Sequence, residues 1–393
     1  MDEQDKIMIV GDSKVGKTTF RKSVQNSLLC DIDEEKDKTY HRLLELEDRD
    51  YFLGIVEMLR QEPLDSMFDQ HIFRFNYFIL MYSVTSRHSL KKVKQLQRKI
   101  KTKGSNNVKY VLLANKVDFE EKTKERKISR QEGEELSRQY DCPYFECSLK
   151  TKENLETTFV QILHYFTIMK EKMDHEDLVE DFQNLFERQE LCDHVFQLQN
   201  DTHVGVHRLI LECKLKVSLE KIQEVLLTIT PRQAKRFLSW AYCGYTNPSN
   251  FANIQIICQK LDLNYLYFSG VNKLVHDLQE LRENEKTSDF TLKIGETSIQ
   301  THKLILAARS DLFRGLFLSC EKSTNQVNDY SRKSYVIIEN LINFFYTNQI
   351  PKSLKKNSSL ELLELIDYYQ LNMKSSLNSK LCKTKKKTAC SLM

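Results

Sequence analysis

The residues Ile9-Val10-Gly11-Asp12-Ser13-Lys14-Val15-Gly16-Lys17-Thr18 set an apolar run directly against a glycine-bearing turn that ends in Lys-Thr. No other feature constrains the chain as much. A G-x-x-x-x-G-K-T stretch between a strand and a helix wraps backbone N–H groups around phosphate oxygens. Gly11, Asp12, Ser13, Lys14, Val15 and Gly16 then form the cradle, Lys17 reaches the outer phosphates, and the Thr18 hydroxyl ligates Mg²⁺. The apolar runs KIMIV, YFLGIVE, YFILMYSV, VKYVLLAN and PYFECS alternate with helical patterns over residues 6–170. That alternation predicts an α/β sheet with helices on both faces.

Two further motifs follow in order. Asn115-Lys116-Val117-Asp118 closes the strand VLLA, and Glu146-Cys147-Ser148-Leu149-Lys150 closes the strand before the last helix of this region. The set GxxxxGKT, NKxD and ExSxK, over about residues 5–170, resembles the small GTPases of the Ras superfamily. The resemblance implies GTP or GDP with Mg²⁺ as cofactors. It also implies that Asp118 accepts from both guanine N–H donors, Asn115 holds the loops together and Lys116 lies along the ring. Ser148, Leu149 and Lys150 would support the base. A carboxylate at this place prefers guanine, because adenine's N1 carries no hydrogen to donate.

The next segment departs from the family. Where the resemblance expects Asp-x-x-Gly-Gln-Glu, the chain reads Glu57-Met58-Leu59-Arg60-Gln61-Glu62. Gln61, the residue implied to position an attacking water, is kept. Glu57 keeps the charge of a Mg²⁺-holding Asp but lengthens its arm by a methylene. Arg60 replaces a glycine whose backbone freedom serves switching. The second Mg²⁺-ligating Thr is Thr39 if a gap is allowed, whereas alignment without gaps puts Glu35 in its place. Nucleotide binding with impaired hydrolysis is the expected outcome, the alternative being a conventional switch that hydrolyses GTP.

Beyond residue 172 the chain becomes mostly helical and repeats itself. LCDHVFQLQNDTHVGVHRLIL and TSDFTLKIGETSIQTHKLIL align Asp193 with Asp289 and His207 with His302, each followed later by an aromatic helix end, FLSWAYCGYT and LINFFYTNQI. SDFTLKI, THKLILAARSDLFRGLF and FFYTNQI resemble the BTB (POZ) domain, and the first copy, with a shorter middle, is a degenerate one. The expected fold is an α/β P-loop GTPase domain followed by two α+β BTB domains, with boundaries at 1–172, 173–285, 286–380 and a tail at 381–393. The order resembles atypical Rho-type GTPases with tandem BTB repeats, although the first domain reads as more Ras-like or Rab-like. The resemblance implies a cullin-type ubiquitin ligase scaffold as partner, and BTB-mediated self-association. Both histidines read as structural, at apolar helix starts. Asp289 reads as a buried, hydrogen-bonded acid, and the FFY and DYY clusters read as core.

The tail, Lys380 to Met393, ends in Cys390-Ser-Leu-Met beside a run of lysines. It has the form of a farnesyl-type prenylation box with a polybasic neighbour, which predicts attachment to an anionic membrane surface on the cytosolic side. Cys382 is a second candidate for acylation. Ten cysteines lie singly, so neither zinc nor a disulfide framework is expected. The charged start MDEQDK and the absence of an 18-residue apolar run predict neither a secretory signal nor a membrane span. A net charge of +4 with no basic stripe argues against nucleic acid as a partner.

Overall fold

The computed structural model describes residues 7–28, 39–46, 49–57, 72–105, 107–118, 126–152, 154–247, 250–264, 270–294, 296–319, 326–328, 334–351, 354 and 356–371. For 24–28, 39–46, 49–57, 326–328 and 356 it describes the backbone alone. The chain divides into two compact units, residues 1–169 with 247–249, and residues 170–246 with 250–393.

The first unit is built on strands β1 (Ile7–Gly11), β2 (Thr39–Leu46), β3 (Arg49–Glu57), β4 (Tyr77–Ser83), β5 (Lys109–Asn115) and β6 (Tyr144–Cys147). Among the described residues they form one sheet in the order β2-β3-β1-β4-β5-β6. β3, β1, β4, β5 and β6 run parallel, and β2 pairs antiparallel with β3. Every residue of β1 and β4 is buried. Strands covered on both faces read as unbroken apolar runs rather than alternating ones, which is why IMIV and YFILMY look as they do. β2 and β3 pair antiparallel from Thr39 opposite Val56 to Leu46 opposite Arg49, and of this pair the apolar run YFLGIVE belongs to β3.

Helices α1 (Lys17–Leu28), α2 (Arg87–Lys103), α3 (Arg130–Tyr140) and α4 (Leu155–Asp174) accompany the sheet. Ser86 caps α2 by accepting from Ser89 N, and its buried face follows from Leu90, Val93, Leu96, Gln97 and Ile100 at helical spacing. Ser129 caps α3 in the same way. The strand-to-helix connections thus gather at the carboxyl edge of the sheet, where α/β folds place their ligands.

The second unit makes two passes through one pattern. The first contains α5 (Glu176–Arg188), the antiparallel hairpin β7 (His194–Gln197) and β8 (His203–Val206), α6 (Arg208–Leu215), α7 (Leu219–Leu226), α8 (Pro231–Cys243) and α9 (Phe251–Lys260). The second contains α10 (Val271–Glu283), the hairpin β9 (Phe290–Ile294) and β10 (Thr297–Thr301), α11 (Lys303–Arg309), α12 (Asp311–Ser319), β11 (Gln326–Asn328), α13 (Tyr335–Thr347) and α14 (Lys356–Tyr368). β11 pairs parallel with β9. In the shorter first pass the Gln223 side-chain amide accepts from Gln197 N at 3.0 Å and donates to Gln197 O at 2.7 Å, satisfying backbone groups of β7 that face away from β8.

The histidines occupy equivalent places. His207 N donates to the Tyr242 hydroxyl at 2.8 Å and its Nδ1 lies 2.8 Å from the same oxygen. His302 repeats this with Tyr346 at 3.1 and 2.7 Å. Neither ring caps the helix it precedes. That task falls to Asp193 and Asp289, which each accept from the first helical N–H, of Arg208 and Lys303, at 2.8 Å. Asp289 is exposed, not buried as its motif position suggested, because it reaches the helix start from the outside of the hairpin. Phe344, Phe345 and Tyr346 are core, whereas in DYY only Tyr369 is, with Tyr368 65% exposed. One hydrophobic core, running from Leu178 to Leu371, serves both passes.

Candidate functional site

β1 ends at Gly11 and α1 begins at Lys17, so the loop between them is held by a buried strand on one side and a helix on the other. Two glycines are required by geometry. A Cβ on Gly11 would stand 2.1 Å from the Met81 carbonyl oxygen of the neighbouring strand. At Gly16, where φ is +109°, a Cβ would stand 2.5 Å from Asn115 Nδ2 and 2.9 Å from Leu149 Cδ1. Lys14 takes the left-handed conformation with φ 59°. Lys17 folds its ammonium back over the loop, donating to Asp12 O at 2.7 Å and Gly11 O at 3.1 Å. Thr18 is exposed on the first turn of α1, and no acidic residue occupies that turn to oppose an anion.

Asp12 uses its carboxylate to shape the loop. Oδ1 accepts from Ser13 N at 2.8 Å, and Oδ2 lies 2.7 Å from His88 Nδ1 near the start of α2. His88 escaped the sequence reading, since a partner seventy-six residues away leaves no local signal. Ser13 and Lys14 are exposed, and Val15 is buried.

Three loops meet at Asn115. Its side chain is buried, donates from Nδ2 to Val15 O at 2.8 Å and accepts at Oδ1 from Leu149 N at 3.2 Å. Asp118 is held by the Ser148 hydroxyl, which donates to its Oδ1 at 2.7 Å and itself accepts from Thr151 N at 3.2 Å. Lys116 turns the chain between them with φ 70°, and Lys150 is exposed. The structure therefore brings Gly11 to Thr18, Asn115, Lys116, Asp118, Ser148, Leu149 and Lys150 to one edge of the sheet.

Behind this edge lies a network that the sequence did not disclose. Glu146 Oε1 pairs with Arg126 Nη2 at 2.5 Å and accepts from the Tyr144 hydroxyl at 2.5 Å, while Tyr82 OH lies 3.2 Å from Tyr144 OH. Burial pushes Tyr82 up to about 12, and burial followed by Tyr82 and Glu146 raises Tyr144 further. Tyr144 therefore stays protonated and donates. Glu146 is thus a support for β6 rather than a base contact, and Arg126, twenty residues earlier, carries no motif that would have paired them.

Of the residues expected at the metal, Thr39 begins β2 and Glu57 ends β3, with Glu57 in register with Ile9 of β1. Their backbones thus lie near the loop end of the sheet, and their side chains lie outside the described residues. Glu35, Arg60, Gln61, Cys382 and Cys390 lie outside them too. The residues present fit a guanine nucleotide: a glycine cradle that any Cβ would fill, an ammonium poised over it, and a carboxylate fixed by a hydroxyl where a base edge is expected.

The sequence matches the Ras family model over residues 6–167 and the BTB/POZ domain model over 278–386. It is 30% identical over 168 residues to the Ras-like protein rasC of Dictyostelium discoideum, an alignment covering 42% of this chain and 85% of that protein. It is 33% identical over 161 residues to the GTP-binding protein Rheb homolog of the same organism, covering 40% and 85%. A Ras-like protein of Laccaria bicolor is 29% identical over 160 residues, covering 40% and 75%.

Proposed function

The chain belongs to the Ras family and carries a BTB/POZ domain behind its GTPase fold, and from this premise we propose that it is a guanine-nucleotide-binding adaptor. The observation that carries the reading is the Asn115 amide, which joins the phosphate loop at Val15 to the base loop at Leu149. Phosphate and base contacts are thereby set at a fixed separation. In the proposed complex Gly11 to Gly16 present backbone N–H groups, Lys17 turns from the loop carbonyls to the outer phosphates, and Asp118 receives guanine's two donors. Thr18, Thr39 and Glu57 would hold Mg²⁺, which supplies charge neutralisation between the outer phosphates.

In the same reading, 173–285 and 286–380 are two BTB domains that recruit proteins, in the manner of Rho-type GTPases with tandem repeats. A cullin-type ubiquitin ligase scaffold would meet α12, which exposes Leu312 and Leu318 at 39% and 50%. Pairing of one BTB domain with another, within the chain or between chains, is the other partner chemistry proposed for these domains. The tail at 381–393, prenylated at Cys390, would hold the assembly at an anionic membrane on the cytosolic side.

Extraction of nucleotide from the purified chain tests the reading. Stoichiometric GDP or GTP supports it, and a preparation that holds neither and binds neither on addition refutes it. A second reading, a conventional switch, is favoured by Gln61. Single-turnover hydrolysis separates the two: a rate well below the Ras-like value of about 10⁻⁴ s⁻¹ fits the adaptor, and a rate at or above it fits the switch.

A further inference from the structure

The two passes of the second unit are related by more than their hairpins. Asp181 in α5 stands twelve positions before Asp193, and Asp277 in α10 stands twelve before Asp289. Lys214 and Arg309 each follow their histidine, His207 or His302, by seven. These four equivalent residues pair crosswise. Asp181 of the first pass meets Arg309 Nε of the second at 2.7 Å, and Asp277 of the second meets Lys214 Nζ of the first at 3.5 Å. The helices follow the same exchange: α5 packs on α8 of its own pass and α11 of the other, while α10 packs on α13 of its own pass and α6 of the other. Residue i touching j while j's equivalent touches i's is the signature of a two-fold interface between copies. Here it is completed within one chain.

We infer that the two repeats are each other's binding partner, so that the surface one repeat could offer to a second chain is already filled by its neighbour. The buried charges select this pairing. One turn earlier, four positions before the paired aspartates, α5 carries Asp177 and α10 carries Lys273, at equivalent places ninety-six residues apart. Around Arg309 the group is therefore Asp177, Asp181 and one guanidinium, and around Lys214 it is Asp277, Lys273 and one ammonium. The first carries one excess negative charge and the second one excess positive, so the heterotypic pair is neutral overall. Counted over these six groups alone, two copies of the first repeat would bring together a net charge of −2, and two copies of the second a net charge of +2. All six groups are at most 9% exposed, where unbalanced charge is strongly disfavoured. Between chains the same neutral pairing remains available, but the covalent link gives the neighbouring repeat an effective concentration of about millimolar. A second chain at micromolar concentration does not compete.

The test uses the full chain. Light scattering on a sizing column should return the 46.5 kDa monomer over a hundredfold range of concentration. Trp240, the only tryptophan, is buried in α8 and reports unfolding of this unit alone. Arg309→Gln should lower the midpoint of that transition by roughly 10 °C, and Asp181→Asn with Arg309→Gln should recover at least half of the loss, since the acid in direct contact with the guanidinium is gone and the net charge of the group returns to its wild-type value. A double-mass species that Arg309→Gln dissociates would place the exchange between chains and overturn the inference. So would losses for the double variant equal to the sum of the two singles, which would remove the pair as a coupled contact.

Discussion

Asn115 Nδ2 stands 2.8 Å from the carbonyl oxygen of Val15, a hydrogen bond across one hundred residues of sequence. Together with the bond from Leu149 N to Asn115 Oδ1 it makes one side chain the tie between the phosphate and base loops. Asn115→Ala removes both bonds, each worth about 0.5–1.5 kcal/mol net. We expect GDP affinity to fall roughly tenfold to a hundredfold, measured by displacement of a fluorescent GDP, with the far-ultraviolet circular dichroism unchanged.

Gly16→Ala should act on the same tie from the other side. Its methyl would stand 2.5 Å from Asn115 Nδ2 on a backbone with φ +109°. Titration calorimetry should find nucleotide binding lost, whereas Ser13→Ala, on an exposed side chain of the same loop, should leave affinity within about threefold of wild type, a change of less than 1 kcal/mol.

Arg126→Ala tests the network behind β6. It removes the closer of two cations from the Glu146 carboxylate, which is 13% exposed, leaving it the Tyr144 hydroxyl and Arg130 Nη1 at 4.0 Å. The loss should reach about 3 kcal/mol in denaturant unfolding of the first unit. Glu146→Gln, which leaves no unpaired acid, should cost less than Arg126→Ala, and the opposite order would show that the ion pair is not the support described.

The second unit should lose stability in mild acid. Burial lowers His175, His207 and His302 below the ordinary value of 6.5. The unfolded chain therefore takes up these protons first as pH falls. Stability is complete above about pH 6.5 and declines below it, by up to about 1.4 kcal/mol per pH unit for each histidine until its folded-state value is reached. Trp240 fluorescence melts from pH 7.5 to 5.5 should show the decline, and His302→Gln should reduce its slope.

The tail prediction is a fractionation. Cys390→Ser should move the chain from membranes to the soluble fraction, and neutralising Lys383, Lys385, Lys386 and Lys387 should do so in part, with the largest difference from wild type at low salt, where the lysine attraction is unscreened. Unchanged fractionation of the Cys390 variant would reject lipidation there.

What was legible in the sequence was local. Gly11 to Thr18 carry their geometry in residue type and spacing, because glycines and a strand-to-helix turn fix the backbone whatever lies around it. The same holds for 115–118 and 146–150, each a strand end followed by a turn. The His207 and His302 helix starts were legible as a repeat because hairpin, aspartate and apolar helix recur within about twenty residues. What failed was tertiary. Glu146 gave no sign of Arg126, and Asp289 was assigned burial from its motif alone. The crosswise pairs were also hidden: Asp181 and Arg309 lie 128 positions apart, and a helical Asp seen alone looks like an ordinary solvated residue.

The base that the chain accepts decides whether Asp118 reads guanine. Displacement of a fluorescent nucleotide from the purified full chain by GDP and by ADP measures this directly, with Lys17→Ala and Asp118→Asn alongside. We predict that GDP displaces at least a hundredfold more effectively than ADP, since Asp118 meets two donors on guanine and none on the N1 edge of adenine. Each variant should weaken GDP by about 1.5–3 kcal/mol, as expected for loss of a charge-assisted hydrogen bond. Equal displacement by GDP and ADP, or affinity unmoved by Asp118→Asn, would contradict the guanine site itself.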